Sequence, residues 1–275
     1  MDRSSDVLEL VPSLKAKGEA FALATVVRTV AATAAKAGAK AIVQSDGTIS
    51  EGWIGGGCAR GAVVKAAREA IADGRARLIS VQPPDVLQEH GVSPGEEREG
   101  VRFATNACPS HGTMDIFIEP VLPKPQIVLC GSSPVAVAIA ALAGRLGFVV
   151  TACAPAAELG AFGDADRRID GYDLPASGEG ERYVVVSTQS RGDEQALHAA
   201  LTTDASYVAF VGSRLKAETL KAAMARRGID PARLARLRSP AGLDIGAIGP
   251  EEIALSILAE IVAVRRGRNP RGERP

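Results

Sequence analysis

Four stretches in the second half of the chain are almost unbroken apolar runs: QIVLC (126–130), FVVTACAP (148–155), RYVVVST (182–188) and YVAFVGS (207–213). A strand with one wet face alternates apolar and polar residues, whereas runs of this kind belong to a parallel sheet covered on both faces. Ala-rich, helix-compatible segments separate several of them, which gives the strand–helix rhythm of a doubly wound layer. Residues 124–275 therefore read as a Rossmann-like domain. Just upstream, Pro123 and Pro125 bracket Lys124 in VLPKPQIVLC, a short stiff linker. The boundary is placed there, with 1–123 as a separate domain.

That first domain mixes element types and reads as α+β. VLELVPSLKAKG (7–18) has helical spacing and a glycine stop. FALATVVRTV (21–30) and AKAIVQ (39–44) are strand-like, and the second runs into SDGTIS, whose Asp-Gly pair signals a hairpin. CARGAVVKAAREAIADG (58–74) predicts a helix ending at Gly74, and ARLISV and TMDIFIEPV predict further strands. The intervening Gln82–Gly112 stretch, rich in Pro, Gly, Glu and Arg, reads as one long loop, a class that is usually functional or mobile.

Between the predicted hairpin and the predicted helix lies GWIGGGCAR (52–60). Gly55, Gly56 and Gly57 permit backbone conformations and close approaches that side chains forbid, and their N–H groups can form an anion-binding nest. Cys58 would open the helix, where the helix dipole favours a negatively charged sulfur. A tight turn beside a buried cysteine explains the same residues and, on composition alone, is the more ordinary reading.

The first turn of the second domain is CGSSPVAVAIA, where a dinucleotide fold places G-x-G-x-x-G. Gly131 keeps the first glycine, Ser132 follows it, and Ser133 and Ala136 occupy the other two glycine positions. The next strand ends in Cys153-Ala154-Pro155 where an acid would bind ribose hydroxyls. These changes argue against NAD and leave open another nucleotide or a purely scaffolding role. VGSRLK (211–216) puts Gly212, Ser213, Arg214 and Lys216 at the carboxyl end of a parallel strand, able to hold phosphate or carboxylate or simply to begin a solvated helix. Asp244, in the Gly-rich loop before the last helix, faces the same rim. Cys130 reads as core packing, and Cys153 is ambiguous.

Composition restricts the partners. Lys+Arg and Asp+Glu balance at 32 each, so no global charge steers the chain to nucleic acid or an anionic membrane. No apolar run is long enough to span a bilayer, and no basic-then-apolar leader opens the chain, so the cytoplasm is expected. Four cysteines without C-x-x-C spacing suit neither a disulfide framework nor structural zinc.

Taken together, ATVVRTV, GAKAIV, DGTISEGWIGGGCARGAVVKAA, ERYVVVSTQS, YVAFVGSRLK and GLDIGAIGPEEIALSILAEIVAVRRG resemble the XdhC/CoxI family, accessory proteins of molybdenum hydroxylases, in order along almost the whole chain. The resemblance implies a maturation factor rather than a metabolic enzyme. Such a factor binds the molybdenum cofactor, as molybdopterin or its cytosine dinucleotide, and supports its sulfuration by a cysteine desulfurase. It then delivers the cofactor to the apo-hydroxylase, xanthine dehydrogenase or aerobic carbon monoxide dehydrogenase, and a homodimer is expected. Cys58 is implied as the molybdenum or sulfur contact, and Cys108 as a second sulfur. The chain departs from the family pattern in AATAAKAGAK, with Lys36 near the usual basic position, and in NACPSHGTMDIFIEP, where Ser110 and His111 are inserted between Cys108 and Gly112. Two rivals remain: a nucleotide-dependent enzyme using the Rossmann-like domain, and a cofactor-free scaffold for which Cys58 is dispensable.

Overall fold

The structure, a computed structural model, describes residues 3–108, 111–174 and 180–267. The inserted Ser110 lies outside them. The chain divides into two compact units, Met1–Pro123 and Lys124–Pro275.

In the first unit the described elements are α1 (Arg3–Lys17), β1 (Phe21–Val30), β2 (Lys40–Gln44), β3 (Ile49–Gly52), α2 (Gly57–Asp73), β4 (Arg77–Gln82), α3 (Pro84–Glu89), β5 (Glu97–Arg98), β6 (Val101–Thr105) and β7 (Thr113–Val121). The strands form one sheet in the order β3-β2-β1-β7-β4-β6-β5. The Asp-Gly hairpin joins β2 to β3, and its Asp46 carboxylate accepts the Thr48 N–H at 2.7 Å. Helix α2 lies on one face, burying Ala59, Val63, Ala66, Ala67 and Ala70. Sheet residues Ala22, Ala24, Val26, Ile79, Val81, Ile116 and Ile118 join them in one core. Gly74 ends α2 with φ +69°, the left-handed stop expected of a C-terminal glycine. One expectation fails here. The 82–112 stretch is not a single loop, because it contains α3, β5 and β6, and β6 pairs parallel to β4 from Leu78↔Val101 to Gln82↔Thr105.

The second unit is a Rossmann-like layer. Its described elements are β8 (Gln126–Cys130), α4 (Pro134–Ala143), β9 (Val149–Ala154), β10 (Arg167–Asp170), β11 (Arg182–Val186), α5 (Asp193–Thr202), β12 (Tyr207–Phe210), α6 (Arg214–Arg226), α7 (Pro231–Ala235), β13 (Leu237–Arg238) and α8 (Pro250–Arg265). The sheet order is β10-β9-β8-β11-β12-β13, and all pairings are parallel. Alternate residues of each strand serve opposite faces. Ile127, Leu129 and Val185 pack with α4 and α8, while Val128, Cys130, Cys153 and Val186 pack with α5 and α6. Cys153 thus resolves as core packing. The order reverses between β8 and β11, so the carboxyl ends of these two strands flank the crevice where such folds bind ligands.

One buried carboxylate ties this layer together. Glu260 of α8 is fully buried, accepts the Tyr207 hydroxyl at 2.7 Å and the Gly242 N–H at 3.0 Å, and pairs with Arg238 at 3.0 Å. Glu260→Ala leaves these donors behind in a closed interior, and we expect it to cost about 3 kcal/mol, read as a lower urea midpoint. Glu260→Gln, which keeps the shape and one acceptor, should lose less.

Candidate functional site

The glycine turn and the Cys108 segment meet in the first unit. A cavity of about 300 Å³ is lined by Gly56, Gly57, Cys58 and Ala59 from the start of α2, and by Thr33 and Ala34 from the loop after β1. Asn106, Ala107, Cys108 and Met114 complete it. Fifty residues separate the two cysteines in sequence, and both are exposed.

The three glycines are not equivalent. Gly55 has φ +111°, a conformation that favours glycine, and a Cβ on it would stand 3.2 Å from the Met114 Cε, which would have to give slightly. Gly56 and Gly57 are not so constrained, since a Cβ on either meets nothing within 4 Å. What their missing side chains leave open is cavity space. Helix α2 starts at Gly57, one residue earlier than the sequence implies, so Cys58 lies inside its first turn. Gly56 offers no side-chain cap to the first N–H groups, which leaves that end suited to an anion.

Asn106, which the sequence pattern does not single out, fixes the opposite wall. It is 8% exposed; its Nδ2 donates to the Gly112 carbonyl at 2.6 Å, and its Oδ1 accepts the Cys108 N–H at 3.1 Å. One amide therefore bridges both ends of the turn that carries Cys108. Its own N–H donates to the Gln82 carbonyl at 2.6 Å, which anchors the turn to β4. Gly112 is obligatory, because a Cβ there would collide with the Ala32 carbonyl. Asn106 follows a half-buried strand end, and its only sequence signal is a polar residue two positions before a cysteine. Met114 adds a thioether to the wall. His111 points elsewhere: its Nδ1 is 3.8 Å from Asp85, and neither His111 nor Lys36 lines the cavity. Among the described residues no cluster of three or more His, Cys, Asp or Glu is placed to hold a metal.

In the second unit the predicted residues separate into two groups. At the first turn Gly131 has φ +102°, and a Cβ on it would lie 2.5 Å from the Ser187 carbonyl oxygen. Ser133 caps α4, accepting the Ala136 N–H at 3.1 Å, and sits 2.5 Å from the Ser187 hydroxyl. Ser132 donates to Glu158. An acid does stand opposite this turn, then, but it lies in the short turn beyond β9 rather than at the strand end where the dinucleotide pattern places one. Lys216 also belongs to this rim, with its Nζ 2.6 Å from Asp193 and 2.9 Å from the Ser190 hydroxyl.

Gly212, Arg214 and Asp244 instead line a second cavity of about 720 Å³, walled by residues 240–247 and by Ile253 and Ser256. Ser213 is not in its lining; it caps α6 and accepts the Lys216 N–H at 3.3 Å. Gly242, at φ +91°, lets the loop lie against Ser256 and Ile257. Glu252 accepts the N–H groups of Ile248 and Gly249, and these bonds lower its carboxyl below the usual range. Arg214 and Asp244 are then the charged side chains that face this cavity.

An α+β unit with a cysteine-lined cavity joined to a Rossmann-like unit with an altered nucleotide turn defines the class. Residues 14–82 match the model described as the XdhC and CoxI family, and residues 127–261 match the XdhC Rossmann domain. The chain belongs to the XdhC and CoxI family. It is 28% identical over 260 residues to the uncharacterized protein YqeB of Escherichia coli, covering 89% of this chain and 43% of that one. It is 32% identical over 162 residues to a Bacillus subtilis protein described as a probable subunit of xanthine dehydrogenase, covering 56% and 47%. The chain thus spans less than half the length of these curated relatives. A solved structure described as a xanthine dehydrogenase from Bacillus halodurans aligns over 97% of both chains, with TM-score 0.46 and 20% identity.

Two outcomes follow. Burial pushes the Cys153 thiol up to about 11 and Cys130 well above its ordinary value. In the native protein near pH 8, two of the four thiols should therefore react promptly with a disulfide reagent, with Cys58 and Cys108 modified by peptide mapping. Gly55→Ala should destabilise by about 1 kcal/mol through its positive φ. Gly57→Ala should leave the urea midpoint unchanged or raise stability by up to about 1 kcal/mol, because alanine favours the helix.

Proposed function

We propose that this protein is an accessory factor of a xanthine dehydrogenase-type molybdenum hydroxylase, which binds the molybdenum cofactor and supports its sulfuration before delivery to the apoenzyme. The observation that carries the reading is the convergence of Cys58, Cys108, Gly56 and Gly57 on one cavity. Family membership supports the hydroxylase-associated role, and the name of the Bacillus subtilis relative points to the same hydroxylase.

The residues fit the group. Gly56 and Gly57 leave room for a ligand against the backbone, and the first-turn N–H groups of α2 suit its phosphate or thiolate charge. Two thiols and a thioether supply soft donors, and among the described residues the lining contains no carboxylate or imidazole that would select a hard cation. When bound, the cofactor supplies oxygen- and sulfur-transfer chemistry to its hydroxylase. This chain's residues would hold it: Cys58 would contact the metal or its sulfur ligand, Asn106 keeps Cys108 facing the same space, and the buried Ala59 and Met114 form the apolar part of the wall. The sulfur donor is a cysteine desulfurase, and the working unit is a homodimer in the cytoplasm.

A second reading rests on the second cavity, where Arg214 suits a phosphate and Asp244 suits ribose hydroxyls. A free nucleotide is its ligand.

Cofactor retention tests the first reading. After incubation with molybdenum cofactor and removal of the unbound fraction, the wild type should hold about one pterin per chain, measured by fluorescence after oxidation. Cys58→Ala and Gly57→Val should fall at least about tenfold, which corresponds to ~1.4 kcal/mol of binding. No retention by the wild type defeats the carrier reading. Binding of a free cytosine nucleotide, lost in Arg214→Ala, supports the second cavity.

A further inference from the structure

A single cysteine can store a transferable sulfur, so a second one on a separate element facing the same small space calls for its own explanation. Among the described residues, the lining of the first-unit cavity holds no carboxylate, imidazole, ammonium or guanidinium, and its reactive atoms are the sulfurs of Cys58 and Cys108. Thiol exchange therefore has two agents there. The other two cysteines are sealed in the Rossmann-like core and take no part.

We infer that Cys58 and Cys108 form a reducing pair: Cys58 accepts sulfane sulfur from a protein persulfide, and Cys108 releases it as hydrosulfide by closing a Cys58–Cys108 disulfide. The inference rests on the reading of this cavity as the sulfur-handling site. In the first step the Cys58 thiolate attacks the outer sulfur of the donor R–S–SH. The donor S–S bond breaks, R–S⁻ leaves, and Cys58 carries –S–SH with no net redox change. In the second step the Cys108 thiolate attacks the Cys58 Sγ. The persulfide bond breaks, and the outer sulfur departs with the electron pair as hydrosulfide. Overall, R–S–SH and two thiols give R–SH, one disulfide and hydrogen sulfide, so the two electrons that reduce sulfane sulfur to sulfide come from the thiol pair. A dithiol reductant resets the disulfide.

The structure assigns the order of the two residues. Cys58 sits in the first turn of a 17-residue helix that lacks a side-chain cap, where an anionic persulfide is favoured. Cys108 is held by the Asn106 bridge on a turn facing the same space. Sulfide is the form in which sulfur serves as a metal ligand, so a site that makes it beside a cofactor needs no free sulfide pool.

The test uses the full chain, reduced and desalted, with glutathione persulfide as the probe. Sulfide and protein-bound sulfane sulfur are measured over a background set by the Cys58→Ser, Cys108→Ser double variant. The wild type should release about one sulfide per chain and yield a Cys58–Cys108 linked peptide by mass spectrometry. Cys108→Ser should keep cyanide-labile sulfur on Cys58 and release sulfide at least about tenfold more slowly; Cys58→Ser should load none. Equal release by wild type and Cys108→Ser, or a wild type that stays persulfidated with no linked peptide, overturns the inference. Pterin retention is measured separately on the same preparations. Loss of retention with sulfide release intact sinks the carrier reading alone, and retention without sulfide release sinks the reducing pair alone.

Discussion

The pairing of β1 with β7 is the constraint on which the first-unit site depends. It runs antiparallel from Phe21↔Val121 to Val30↔Thr113, with a register shift between Val26 and Arg28. Its far end leaves residues 31–35 beside Gly112, close enough that no side chain fits at that glycine. The same end turns Met114 toward the face covered by α2, where it packs against Gly55 and Ala59. Slipping the register by one residue would send Met114 to the opposite face and take the Cys108 turn away from the helix start. The meeting of two distant cysteines is thus a consequence of strand register, and the local turn residues refine it.

Much of the layout is legible in the sequence because it rests on periodicity. The continuous apolar runs demand a sheet covered on both faces, and the structure shows those runs as β8, β9, β11 and β12. Gly74 and the Asp-Gly pair mark a helix end and a hairpin for local steric reasons that need no tertiary partner. Strands β5 and β6 escape such a reading because their order comes from neighbours. Glu97–Arg98 is a two-residue exposed edge, and Val101–Thr105 is half-buried throughout, so neither shows an alternating pattern. The pairing of β6 with β4 decides what they are.

The site is legible in part for the same reason. Three glycines and a cysteine at a predicted helix start announce unusual backbone demands, yet only geometry separates Gly55, whose conformation favours glycine, from Gly56 and Gly57, where a Cβ meets nothing. Asn106 and Glu158 carry no such signal because their roles exist only across space. Asn106 works by spanning a turn, and Glu158 by meeting Ser132 from the next crossover. The altered dinucleotide turn also acquires a physical account. Ser133 is the N-terminal cap of α4 and a partner of Ser187, so its hydroxyl stands where a glycine would admit a pyrophosphate. The serine serves the sheet's own packing, and a separate cavity lies along residues 240–247.

Four cysteines in one chain offer an internal control on what makes sulfur available for chemistry. Cys130 and Cys153 are register partners on adjacent parallel strands, fully buried among valine, alanine and leucine, and desolvation holds both thiols protonated. They behave as small hydrophobes. Cys58 and Cys108 sit on a helix start and a stapled turn, where both sulfurs are exposed and line one cavity. An evolutionary change to alanine at either core position would mainly remove packing volume, whereas the same change in the cavity removes its reactive atoms and leaves the fold's core intact. The separation of packing from reactivity in this chain is therefore set by burial and by backbone position, with residue type the same in all four cases.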